Sequence, residues 1–106
     1  MDLVTLLKQA KDVQSRMKAM QDHVGTIEAE GIAGAGLVHV TLNGKSELRK
    51  VSIDPSLLKS DNRQMVEDLI VAAHADAKAR VERLVAEEMQ KVARDMGLPP
   101  GLGSGG

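Results

Sequence analysis

The spacing of apolar residues predicts an α+β protein of order α-β-β-β-α, with a three-stranded antiparallel sheet between two long helices. Three observations carry that reading. Apolar residues recur at alternating steps of three and four from Leu3 to Val24. The period drops to two between Thr26 and Ile53. From Ser60 to Met96 no Gly or Pro interrupts a second helical stripe.

The first helix is built on Leu3, Leu6, Ala10, Val13, Met17, Met20 and Val24, an a/d heptad seam. Asp2 is placed to cap its start and Gly25 its end. A first strand begins near Ile27 and Ala29. The run Gly31-Ile32-Ala33-Gly34-Ala35-Gly36, with three glycines in six residues, then reads as a turn. Val38, Val40 and Leu42 share one face of the second strand, and Leu37, His39 and Thr41 the other. Asn43-Gly44 predicts a type I′ hairpin, because both residues tolerate positive φ. The returning strand, Glu47 to Ile53, is expected to put Arg49, Val51 and Ile53 on one face. Asp54-Pro55-Ser56-Leu57-Leu58 predicts one helical turn, with Asp as cap and Pro at its first position.

Ser60 or Asp61 starts the second long helix, with Asp61 and Gln64 as a capping box. Its stripe runs through Val66, Ile70, Ala73, Ala77, Val81, Leu84, Val85, Val92 and Met96, and Gly97 closes it. Residues 1–97 thus form one expected domain, and residues 98–106, rich in Pro and Gly, a flexible tail. Such a helix is roughly 50 Å long, against roughly 35 Å for the diameter of a compact domain of this size. It overhangs its own sheet with its apolar stripe still running. A second copy would cover that stripe, so a two-fold homodimer is expected; the alternative is a helix that breaks after about Glu88.

Composition excludes several kinds of chemistry. The 106 residues include no Cys and no Phe, Trp or Tyr. Disulfides, thiolate metal sites and cysteine nucleophiles are thereby removed, and a reducing, cytoplasmic setting is expected. Base-stacking platforms for single strands are removed as well. No apolar run approaches the ~20 residues of a membrane helix, and MDLVTLLKQA lacks the basic region and cleavage site of a secretory signal. His23, His39 and His74 fall on different elements without metal-pair spacing, so no metal or other cofactor is expected. Gly34-Ala35-Gly36 precedes a strand rather than a helix, which is no phosphate cradle. With no nucleophile elbow and no convergent acid–base set, neither an enzyme nor a small-molecule substrate is indicated.

Charge is more informative in its distribution than in its total of −1. Residues 1–23 hold four basic groups against three acidic, residues 24–60 four against four, and residues 61–106 six against eight. Lys8, Lys11 and Lys18 lie opposite the seam of the first helix. Arg80, Arg83, Lys91 and Arg94 lie along one flank of the second. Rows of this kind suit a rod-like polyanion. They equally suit a solvated helix laced by Asp76–Arg80, Arg83–Glu87 and Glu87–Lys91 pairs at i, i+4.

Six short stretches occur in a telling order: Lys8-Gln9-Ala10 with Met17 and Met20; Gly34-Ala35-Gly36-Leu37-Val38; Asn43-Gly44; Val51-Ser52-Ile53-Asp54-Pro55-Ser56-Leu57-Leu58; Glu67-Asp68-Leu69 with Ala72-Ala73; and Met96-Gly97-Leu98-Pro99-Pro100-Gly101. In this order and spacing the chain resembles the YbaB/EbfC family of bacterial nucleoid-associated proteins. The resemblance implies an intertwined homodimer whose helices project like tweezer arms. It also implies a cytoplasmic, nucleoid-associated location and binding of double-stranded DNA with altered DNA conformation, in nucleoid organisation, gene regulation or DNA protection. The family's DNA contacts are attributed to its helices, which points here to Lys8, Lys11, Lys18, Arg80, Arg83, Lys91 and Arg94. A second function class remains open, a dimeric module that offers Met17, Met20, Met89 and Met96 to a protein partner.

Overall fold

The computed structural model describes residues 2–95 and Gly97; Met1, Met96 and the expected tail 98–106 lie outside the described residues. Its elements follow the expected order: helix α1 (Leu3–Thr26), strands β1 (Glu28–Ala33), β2 (Val38–Asn43) and β3 (Leu48–Ile53), two short 3₁₀ turns, and helix α2 (Arg63–Asp95). The strands form an antiparallel meander in the order β1-β2-β3.

The core is one helix face on one sheet face. Val38, Val40 and Leu42 of β2 are buried to 1 % exposure or less, as are Ala73, Ala77 and Val81 of α2. With no aromatic side chain to fill a gap, the two layers must come close. Gly31 of β1 shows how close they are. A Cβ there would overlap Ala73 O and Ala77 N of the α2 backbone. That contact corrects the expected turn over residues 31–36: Gly31, Ile32 and Ala33 are strand, and the turn occupies Gly34 to Leu37, with positive φ at Gly34, Ala35 and Gly36. The first glycine marks helix-on-strand approach rather than a reversal.

Four other details differ from expectation. α1 continues through Gly25 to Thr26, and the cap is the Ile27 N–H donated to Val24 O. β1 follows so directly that no left-handed linker residue is inserted. The Asn43–Gly44 hairpin is not type I′: Ser46 N donates to Asn43 O, and the positive φ falls on Ser46. The buried Asn43 side chain holds this loop, its Oδ1 accepting from Lys45 N and Glu47 N. Gly44 is needed for space, because a Cβ would overlap Val24 O.

The ladder between β2 and β3 shifts register at Thr41/Leu42, so that β3 begins at Leu48 and Arg49 becomes the extra residue of a bulge. Arg49 therefore leaves the face of Val51 and Ile53 and lies 3.7 Å from Glu28. Finally, Ser60–Asn62 is a 3₁₀ turn without the expected capping box, and α2 starts at Arg63. The turn at Asp54 forms as expected: its Oδ1 accepts from Ser56 N, and Pro55 opens a 3₁₀ turn.

α2 is unbroken to Asp95, and Gly97, at positive φ, donates its N–H to Arg94 O. The break after Glu88 does not occur. The chain measures 70 × 27 × 19 Å with a radius of gyration of 19.7 Å, against roughly 13 Å for a compact chain of this length. The excess length is α1 and the end of α2.

Candidate nucleic-acid interface

The sheet anchors both helices at one end and leaves the rest of each standing free. Not one described residue of α1 is buried. Asp2 caps its start, accepting from Val4 N, and only its last turn meets the sheet, where Val24 packs against Gly44. The apolar seam remains open to solvent: Leu3 is 69 % exposed and Met17 59 %. Beside it runs the upper part of α2. An apolar groove separates the two, lined by Val13, Met17 and Met20 from α1 and by Val92 from α2. At its base His23 Nε2 donates to Glu88 Oε1 at 2.9 Å. His23 is nonetheless an exposed residue. Its partner is 65 positions away, and no local pattern announces the pair.

The seven expected contact residues fall into two rows. At about 100° per residue, Lys8, Lys11 and Lys18 share an arc of roughly 80° on α1. Arg80, Arg83, Lys91 and Arg94 share a similar arc on α2. Neither row faces the groove. Each lies roughly 100° or more from the side of its helix that lines it. Within one chain the structure therefore does not bring the two rows together; they occupy opposite outer flanks of the helix pair.

Most of these cations have no internal use. Among the described residues Lys8, Lys11, Lys18, Arg83, Lys91 and Arg94 have no carboxylate within ion-pair distance. The i, i+4 pairs Arg83–Glu87 and Glu87–Lys91 are not formed. Arg80 differs. Its Nε donates to Asp76 Oδ2 at 3.1 Å, and the same oxygen accepts from Ile32 N at 2.9 Å. The Ile32 N–H, and then Arg80, hold the Asp76 carboxyl below its usual value. Asp76 thus ties α2 to the outward edge of β1, and Arg80 braces that carboxylate from its own helix through the expected i, i+4 pair.

A second polar cluster occupies the sheet face away from α2. His39 Nδ1 donates to Glu30 Oε1 and Nε2 to Gly36 O, both at 2.8 Å. Both ring nitrogens face acceptors, so the imidazolium suits the site. The Glu30 carboxylate first, and the Gly36 carbonyl second, raise the His39 pKa above its usual value. Thr41, Lys50 and Ser52 line the same small hollow. Among the described residues no group of three or more His, Asp or Glu is arranged to hold a metal ion, and no helix is long and apolar enough to cross a membrane.

The model of the YbaB/EbfC DNA-binding family matches residues 1–96. A nucleoid-associated protein of Rhodopseudomonas palustris is 51 % identical over 104 residues, covering 98 % of each chain. The chain belongs to this family. A nucleoid-associated protein of Brucella ovis is 50 % identical over 101 residues, 95 % of this chain and 94 % of that one. In fold, the chain is similar to the crystal structure of an uncharacterized Helicobacter pylori protein. That match has a TM-score of 0.62 at 23 % identity over 91 % of this chain and 97 % of the other. DNA binding is the property the family is described by, which directs attention to the exposed helices and their cations.

Proposed function

We propose that this protein acts as an intertwined homodimer that grips double-stranded DNA through its phosphate backbone and alters its conformation. Residues 1–97 serve as a single domain, and the protein works in the cytoplasm on the nucleoid, in nucleoid organisation, gene regulation or DNA protection. The observation that carries the reading is α1, which exposes an apolar seam on one side and an unpaired row of lysines on another. A second copy seated on the seams would remove the apolar surface from water. It would also supply what one chain lacks, namely cations from two chains facing one duplex.

Lys8, Lys11, Lys18, Arg83, Lys91 and Arg94 are the proposed phosphate contacts. Arg80 contributes through the charge left over from its bond to Asp76. Contacts of this type position a protein without reading sequence, so preference among duplexes would come from DNA shape. The test is fluorescence anisotropy of a labelled duplex at several salt concentrations. The expected result is log affinity falling linearly with log salt, by about 0.9 for each phosphate engaged. Arg83→Ala, Lys91→Ala and Arg94→Ala together should weaken binding about equally on unrelated duplexes. Undiminished affinity in that variant would remove α2 from the interface.

The apolar groove between α1 and α2 favours one second reading, a protein partner docked on Met17 and Met20. A dimer that ignores DNA at low salt and binds one protein partner through this groove would support it.

A further inference from the structure

α1 carries apolar residues that the seam does not use. Val4 and Leu7 are 55 % and 56 % exposed. The groove residues Val13, Met17 and Met20 establish which side of α1 faces α2. At about 100° per residue, Val4 lies roughly 170° and Leu7 roughly 110° from the centre of that side. Whatever fills the groove leaves them uncovered. Behind them, one turn toward the sheet, stand Lys8 and Lys11, at i+4 from Val4 and Leu7. Among the described residues neither lysine has an ion-pair partner. Just inside the Asp2 cap, the free end of the helix thus carries an apolar pair with a cationic collar about 5 Å behind it.

We propose that Val4 and Leu7 form a wedge that enters the base stack of duplex DNA from the minor groove, while Lys8 and Lys11 hold the flanking phosphates. The inference rests on the DNA-binding reading above and adds a mechanism for bending. An α-helix is too wide for the minor groove, roughly 6 Å across, but two short side chains at its tip are not. Branched and aliphatic residues in this position partly unstack a base step and kink the duplex. The other occupants fit less well. An isologous contact centred on Val4 and Leu7 would bring the Lys8–Lys11 pairs of the two copies close together across the two-fold axis, like charge against like. A bilayer surface needs a longer apolar face, and here the stripe turns to Lys11, Ser15 and Lys18 within two turns.

The test compares wild type with Val4→Gln/Leu7→Gln, a change between exposed residues that keeps helix propensity high. A duplex of about 30 base pairs carrying a dye at each end reports bending by energy transfer and binding by anisotropy; the double variant should keep the wild-type salt slope, lose about tenfold or less in affinity, and leave the duplex as straight as free DNA. Lys8→Ala/Lys11→Ala should instead lower the salt slope by about two phosphates' worth for each protomer whose helix engages the duplex. Equal bending by wild type and the double variant would overturn the proposal, as would a wild type that binds without bending. A double variant that runs as a monomer in light scattering where wild type is a dimer would assign Val4 and Leu7 to the interface between copies, and overturn it too. Loss of anionic-vesicle binding with DNA bending intact would assign the tip to a membrane surface. A wild type that binds no duplex even at low salt would instead sink the DNA reading itself.

Discussion

The middle of α2 and the whole of α1 are both amphipathic, yet they meet different fates. From Ala73 to Val81 the apolar side of α2 is buried to 1 % exposure or less against β1 and β2. Along α1 no described residue is buried, although its heptad seam is the more regular of the two. Residue size explains the first case: Ala73 and Ala77 sit directly over Gly31, so helix and strand approach backbone to backbone. Attachment explains the second. α1 meets the sheet only at its last turn, and the sheet offers no second apolar surface to it. One region is buried within a single chain; the other leaves its apolar seam open to solvent.

The sharpest way to break the complete region is Gly31→Ala. The added methyl meets α2 backbone, which cannot swing aside as a side chain can. Thermal unfolding followed by circular dichroism should show a loss of about 3 kcal/mol. In the open region, Val13→Glu with Met17→Glu should have the opposite character. In an isolated chain both positions are more than half exposed, and the pair should cost within about 0.5 kcal/mol each. In a dimer that covers the seam, two buried charges should raise the dissociation constant by about a hundredfold or more, read by sedimentation equilibrium.

How far this contrast could be read from sequence differed between its two halves. The seam of α1, the Val38–Val40–Leu42 face and the unbroken second helix follow from periodicity alone, because each depends on residues near one another in the chain. Gly31 and Arg49 depart from the pattern for one shared reason: their conformations are set across the sheet. Gly31 reads as a turn residue until α2 is laid over it, and Arg49 changes face only because the register slips at Leu42. Asn43-Gly44 does not form the type I′ turn because bonds accepted by the Asn43 side chain, not backbone preference, organise the loop. Among the candidate contacts, the rows were visible as charge. The Asp76–Arg80 pair follows from its i, i+4 spacing, but the bond from Ile32 N to the same carboxylate depends on the strand edge being in place.

Two smaller effects sharpen the same contrast. Asp76→Ala would free the Ile32 N–H and the Arg80 guanidinium together. It should lower stability modestly while leaving the salt slope of DNA binding unchanged or slightly steeper, since it releases a cation. His39 supplies a pH signature for the sheet. Its folded-state pKa lies above the usual value near 6.5. The stabilisation it contributes is therefore present in full below that value and is lost as pH rises through the raised one. Glu30→Gln should flatten this dependence in denaturant titrations between about pH 6 and 8, and α1 should be indifferent to it.

Native-state hydrogen exchange tests the contrast most directly, because it reads α1 and β2 in the same sample. A lone helix of this length without packing is marginal in water, whereas a helix seated on a second copy is held by that contact. At high protein concentration the expected result is slow exchange in β2 and in the middle of α1 alike, with only α1 losing protection on dilution. Fast exchange throughout α1 at every concentration, with β2 protected, would contradict the claim that a second copy completes this molecule.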